Sequence, residues 1–202
     1  MPRAVTFTDP FWIRRSHMTL PNILTCLRVL LIPVFMVLAY QENMPCDIAA
    51  LIVYVVACLT DYVDGYLARK NNQVTNFGKF MDPVADKLLV MAALLLFVED
   101  GTIAAWMVAI ILGREFIVSA LRMVAASEGL VIAANMWGKA KTMITMITLI
   151  FLLCPIGPIM LGPVSLQTIM IWITVIITAV SGVTYITDNF AVIKDGFTQK
   201  GA

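Results

Sequence analysis

Four aspartates form two closely spaced pairs in an otherwise apolar part of the chain. Asp61 and Asp64 are three residues apart, and Asp82 and Asp86 are four residues apart. Residues three or four apart lie on one face of a helix, so the sequence predicts two carboxylate pairs. Mg²⁺ prefers oxygen ligands, usually a few carboxylates together with substrate phosphates. The spacing therefore predicts a site for two divalent cations, which together stabilise the attacking and leaving oxygens in a displacement at phosphorus.

The residues between the two pairs extend this chemistry. Gly65 and Gly78 would let a bulky ligand approach the helix backbone. Arg69 is placed to make a charge-assisted contact with a phosphate. The alternative, that the aspartates are ordinary water-facing helix ends, leaves these three residues without a role.

The composition places this cluster in a membrane protein. The chain has 202 residues, is 60% hydrophobic and only 13% charged, and has a mean hydropathy of +0.90. Soluble domains carry roughly a quarter charged residues. An ionisable group inside a membrane segment costs about 2.5–3.5 kcal/mol even on lenient insertion scales, so a cluster of them predicts a functional site.

Apolar runs and the breaks between them predict an all-α, polytopic protein with six transmembrane helices. The predicted spans are 20–41, 47–69, 81–99, 103–127, 138–154 and 166–190.

Basic residues predict the orientation of these spans, because cytoplasmic loops carry Lys and Arg in excess. If the N-terminus is cytoplasmic, the three opposite loops receive no basic residue. An N-in, C-in topology follows, with the aspartates near the cytoplasmic ends of spans two and three. The basic residues on the cytoplasmic side are Arg3, Arg14, Arg15, Arg69, Lys70, Lys79, Lys87, Lys139, Lys141, Lys194 and Lys200.

The N-terminal segment 1–18 is predicted to be separate from the membrane domain, 19–202. It is either a cytoplasmic, interfacial amphipathic helix or a vector-derived addition, since Ser16-His17-Met18 is typical of a cloning scar. The net charge of +1 argues against nucleic acid as a partner.

The aspartates belong to a longer pattern that resembles the signature of the CDP-alcohol phosphatidyltransferases. It reads Asp61-x-x-Asp64-Gly65-x-x-Ala68-Arg69, eight residues, then Gly78-x-x-x-Asp82-x-x-x-Asp86. The opening Leu20-Pro21-Asn22-x-x-Thr25-x-x-Arg28 is also similar to the family, so the resemblance extends over most of the chain.

This resemblance implies a homodimeric enzyme of the bacterial inner membrane that transfers a phosphatidyl group from CDP-diacylglycerol to an alcohol and releases CMP. It implies that the four aspartates bind two Mg²⁺ or Mn²⁺ ions, with Asp86 also the candidate general base. It further implies that Gly65, Ala68, Arg69 and Gly78 hold the cytidine and pyrophosphate.

The acceptor is predicted from basic residues in spans four and five. Arg114 and Arg122 lie about 80° apart on an ideal helix. With Lys139 and Lys141 they would form a basic pocket, which favours a phosphorylated acceptor over serine or choline. The alternative is that Arg114 pairs with Glu115 and that the lysines only follow the charge rule for cytoplasmic loops.

Three short sequence motifs narrow the choice of acceptor alcohol. Arg114-Glu115-Phe116, Leu121-Arg122 and Gly138-Lys139-x-Lys141-Thr142 resemble the branch of the family whose acceptor is sn-glycerol 3-phosphate. A branch that uses inositol phosphate also needs a basic site and remains an alternative. A more distant alternative is a divalent-cation transporter, which would need acidic residues accessible from both membrane faces.

Overall fold

The computed structural model describes residues 20–41, 43–70, 76–127 and 136–190. Within these ranges the side chains of residues 20–22, 61–70, 76–80, 82–83 and 127 lie outside the description. The predicted N-terminal segment, 1–18, also lies outside the described residues.

Helices dominate the described residues, and each of the six predicted spans coincides with one. The helix of the third span begins at Asn76, before the predicted start at residue 81. The helices are α1 Leu20–Ala39, α2 Met44–Lys70, α3 Asn76–Glu99, α4 Ala105–Ser127, α5 Met136–Leu153 and α6 Leu166–Asp188.

A short β-hairpin joins α5 to α6, where the sequence predicted only a break. Strand β1, Met160–Leu161, pairs antiparallel with β2, Val164–Ser165. The two-residue loop begins at Gly162, whose φ of 71° suits the first position of a type II′ turn. Ser165 then caps α6, because its side chain accepts a hydrogen bond from the backbone N–H of Thr168.

The outer surface of the bundle is more apolar than that of a water-soluble protein. Large apolar side chains such as Leu30, Met143 and Val183 are about two-thirds exposed on the outside of the bundle. Several hydroxyl and charged side chains are buried inside it: Thr25, Arg28, Lys141, Thr145, Thr148, Thr174, Thr178 and Ser181. An apolar exterior is what a bilayer requires, because lipid tails cannot hydrogen-bond to polar side chains. The fold therefore indicates a membrane protein.

Two of the helices in the described part of the chain, α5 and α6, are long and apolar enough to cross a bilayer. Shorter apolar helical runs occupy Ile23–Ala39 and Met44–Thr60. Helices α3 and α4 carry several charged residues each, among them Asp86, Lys87, Arg114 and Arg122. The six-span topology stays a prediction.

Packing divides the bundle into two groups of helices. Helix α1 packs against α2 and α3, while α6 packs against α5 and α4. An apolar core that includes Phe35, Tyr54, Leu94 and Ile111 joins the two groups. Because only five residues separate the end of α2 from the start of α3, the aspartate-bearing parts of both helices lie at one end of the bundle.

Candidate active site

The four aspartates lie on two helices that pack against one another. Asp61 and Asp64 belong to the C-terminal part of α2, and Asp82 and Asp86 to the N-terminal half of α3. The side chains of the first three lie outside the described part, as do those of Ala68 and Arg69. Gly65 and Gly78 share the same two helical segments. The backbone thus places both predicted pairs at one end of the bundle.

The carboxylate of Asp86 is half-buried beside a small cavity of about 50 Å³. This cavity is enclosed by α3, α4 and α5, and Lys87, Glu115 and Lys141 contribute charged groups to its lining. Lys87 also donates a hydrogen bond to Ser119 of α4. The aspartate end of α3 is therefore contiguous with a cluster of charges on the next two helices.

Glu115 is the centre of that cluster. Its Oε1 atom lies 2.5 Å from Lys141 Nζ and 3.1 Å from Arg114 Nη1. Lys141 is only 3% exposed, and a buried ammonium requires an opposite charge. One carboxylate oxygen therefore holds two cations from two helices in fixed positions.

Arg114 reaches this position through a gap left by two glycines. A Cβ at Gly182 of α6 would lie 3.1 Å from Arg114 Cγ, and one at Gly138 of α5 would lie 3.4 Å from its Nη2. Arg114 Nη2 also donates a 2.6 Å hydrogen bond to Ser181 Oγ. Helices α5 and α6 thus fit closely around the Arg114 side chain.

Arg122 lies farther along the same face of α4 and contacts α6. Its guanidinium carbon is 5.3 Å from the centroid of the Tyr185 ring, within the range of a cation–π interaction. Lys139, by contrast, is exposed. Of the four predicted acceptor residues, Arg114 and Lys141 share Glu115, Arg122 borders α6, and Lys139 stands apart from these contacts.

The sequence reasoning missed the contribution of α6. Thr174, Thr178, Ser181 and Tyr185 are all buried, and they follow one another at intervals of four, three and four residues. That spacing puts them on one face of the helix. A polar stripe within an apolar predicted span was the signal that could have found them.

The donor chemistry fits divalent metal ions, although the geometry of the complete set lies beyond the described side chains. Among those side chains there is no group of three possible metal ligands, since Asp86 is the only one of the four aspartates whose side chain is described. Four carboxylates on two adjacent helical segments are an oxygen set that suits Mg²⁺ or Mn²⁺.

Comparison with known proteins gives consistent matches. Residues 18–180 match the family model described as CDP-alcohol phosphatidyltransferase. The chain is 43% identical over 187 residues to the CDP-diacylglycerol–glycerol-3-phosphate 3-phosphatidyltransferase of Bacillus subtilis, covering 87% of this chain and 97% of that protein. It is 45% identical over 143 residues to the protein of the same name from Pseudomonas fluorescens, covering 67% and 72%. A probable phosphatidylglycerophosphate synthase of Mycobacterium tuberculosis is 33% identical over 171 residues, covering 83% and 79%.

Proposed function

The chain belongs to the CDP-alcohol phosphatidyltransferase family, and from this we infer that it transfers the phosphatidyl group of CDP-diacylglycerol to sn-glycerol 3-phosphate. The products are phosphatidylglycerophosphate and CMP, so the enzyme acts in phospholipid biosynthesis. The observation that carries this assignment is the 43% identity over nearly the full length of a relative named for that reaction. The buried basic cluster beside Asp86 supports a phosphorylated acceptor.

The transfer forms one bond and breaks another at the same phosphorus. An acceptor hydroxyl oxygen bonds to the phosphorus that carries diacylglycerol, and the bridging bond from that phosphorus to CMP breaks. The hydroxyl proton must leave, and Asp86 is the candidate base. Its half-buried carboxylate borders the cavity that Lys141 and Glu115 line, and this proximity supports Asp86 as the base for an acceptor bound there.

Asp61, Asp64, Asp82 and Asp86 would hold two Mg²⁺ or Mn²⁺ ions. When bound, the metal ions supply charge stabilisation for the pyrophosphate and its leaving oxygen. Gly65, Ala68, Arg69 and Gly78 would bind the cytidine and pyrophosphate of the lipid substrate, as the family pattern implies.

Arg114, Arg122, Lys139 and Lys141 are proposed to bind the acceptor phosphate, with unequal roles. Arg114 and Lys141 are fixed by Glu115, so they present a preorganised positive field with little reorganisation on binding. Lys139 is exposed and would act mainly by attracting anionic substrates to the membrane surface.

The proposed setting is a homodimer in the bacterial inner membrane. Six spans with both termini in the cytoplasm would place the aspartate end of α2 and α3 on the cytoplasmic side. The distribution of Lys and Arg supports this orientation, and it gives the site access to water-soluble sn-glycerol 3-phosphate and to lipid.

The direct test is CMP release by purified protein in detergent with CDP-diacylglycerol and Mg²⁺. Glycerol 3-phosphate, inositol 1-phosphate and serine are offered in parallel. Release with glycerol 3-phosphate alone is expected. Release only with another acceptor would keep the family and overturn the acceptor assignment.

A further inference from the structure

Several buried polar atoms between α4 and α6 lack a protein partner in the described part of the chain. They are Nε of Arg114, Nε of Arg122, Oγ1 of Thr178 and Oη of Tyr185. Thr178 is fully buried and Tyr185 is 1% exposed. Most buried polar side-chain atoms in proteins have a hydrogen-bond partner, so this concentration along one interface requires an explanation.

These atoms are neighbours. Thr178, Ser181 and Tyr185 follow at intervals of three and four residues on α6 and therefore share a face. Arg114 donates to Ser181, in the middle of this face, and Arg122 lies over the ring of Tyr185, at its C-terminal end. We call this set of five residues on the two helices the α4–α6 seam.

The charge of the seam indicates the kind of ligand that it suits. It contains two guanidinium groups, and Glu115 pairs with that of Arg114, whereas Arg122 contacts the neutral ring of Tyr185. Arg122 therefore brings N–H donors, and Tyr185 a buried O–H donor, to the same interface between α4 and α6. Such a combination suits an oxyanion that accepts several hydrogen bonds, and a phosphate group is an anion of this kind.

We propose that Tyr185 binds the acceptor directly, its hydroxyl donating a hydrogen bond to the phosphate of sn-glycerol 3-phosphate beside the guanidinium of Arg122. The inference rests on the proposed function and adds an α6 residue to a pocket that the sequence assigned to α4 and α5. Tyr185 is then a specificity residue for phosphorylated acceptors.

The Tyr185→Phe variant tests this because it removes only the hydroxyl and keeps the ring that faces Arg122. The expected result is a rise of about tenfold in the KM for glycerol 3-phosphate, with the KM for CDP-diacylglycerol unchanged. The Tm in detergent should stay equal or rise, because no protein hydrogen bond is lost. An unchanged acceptor KM together with a raised Tm would show that the hydroxyl is only an unsatisfied buried group, and would overturn the proposal.

A matched control is Tyr40→Phe, at the other end of the bundle, where the hydroxyl donates to Glu99. This control should leave both KM values as in the wild type. A tenfold rise in acceptor KM in the control as well would attribute the effect to general disturbance of the bundle and count against Tyr185 as a ligand-binding residue.

Inorganic phosphate provides a readout that does not depend on turnover. It should raise the Tm of the wild type and of Tyr40→Phe, and raise that of Tyr185→Phe only at about tenfold higher concentration. Equal protection of all three proteins would overturn the proposal. Failure of the wild type to release CMP with glycerol 3-phosphate would instead refute the proposed function. In that case, weaker protection of Tyr185→Phe than of the other two proteins by phosphate would still support the binding site.

Discussion

Gly182 allows a sharp test of whether the position of Arg114 matters for turnover. In Gly182→Ala the new Cβ would lie 3.1 Å from Arg114 Cγ, whereas in Gly113→Ala it would meet nothing within 4 Å. Both glycines are interior helical positions, where alanine favours the helix by about 0.5–1 kcal/mol. The two variants therefore share the gain in helix stability and differ in the contact with Arg114.

The expected magnitude follows from the contacts of Arg114. Carbon atoms prefer a separation of about 3.5–4.0 Å, so Arg114 must move by several tenths of an ångström. Its Cγ lies close to the α4 backbone and cannot avoid the clash by rotation of the guanidinium alone. The movement would lengthen the bonds of 2.6 Å to Ser181 and 3.1 Å to Glu115. A hydrogen bond to a charged group contributes about 1.5–3 kcal/mol. Losing half of one in the transition state lowers kcat/KM about fourfold to thirteenfold.

The assay is CMP release at varied glycerol 3-phosphate and saturating CDP-diacylglycerol. We expect Gly182→Ala to lose about tenfold in kcat/KM, and Gly113→Ala to retain wild-type kinetics with an equal or higher Tm. Equal kinetics in the two variants would refute the reasoning, since they would show that the position of Arg114 does not limit acceptor use.

Three further predictions address other parts of the molecule. Asp82→Asn should abolish CMP release while the Tm stays near that of the wild type, because it removes a proposed metal ligand; turnover near the wild-type rate would contradict the two-metal proposal. Glu115→Gln and Lys141→Met should each lower the Tm, because the first leaves the buried Lys141 ammonium without its carboxylate and the second removes one of the two cations that contact Glu115. The double variant should lower the Tm less than the sum of the two single changes, and strict additivity would exclude an energetic coupling. In a background without native cysteines, a membrane-impermeant thiol reagent should label Asn43→Cys in intact cells but not Lys139→Cys, and the reverse pattern would invert the proposed topology.

Local features of the site could be predicted from the sequence because they depend on helix geometry alone. The spacing of Asp61 and Asp64 and of Asp82 and Asp86 was enough to assign two pairs, and α2 and α3 do cover both pairs. Arg114 and Lys141 both contact Glu115. The Arg114–Glu115 pair is the contact that the alternative interpretation predicted, so the acceptor pocket stays a prediction.

Contacts between helices could not be predicted. Glu115 and Lys141 are 26 residues apart, and nothing in either segment specifies that α4 and α5 meet at these positions. The role of Gly182 could not be predicted either, because the side chain that occupies the space beside it is that of Arg114, on another helix. The hairpin before α6 was missed because its strands have two residues each, too few to show an alternating pattern.

The ion pair between Glu115 and Lys141 also constrains how the protein enters the bilayer during synthesis. Some threonines in α5 and α6 place their hydroxyl on a carbonyl of their own helix: Thr145 donates to Lys141 and Thr174 donates to Met170. The Lys141 ammonium instead pairs with Glu115 of another helix. Transfer of an unpaired lysine charge into the hydrocarbon costs about 2.5–3.5 kcal/mol or more. The partner of Lys141 is on the preceding helix, so α4 and α5 are expected to leave the insertion machinery together as a helical hairpin, and α6 can follow by itself.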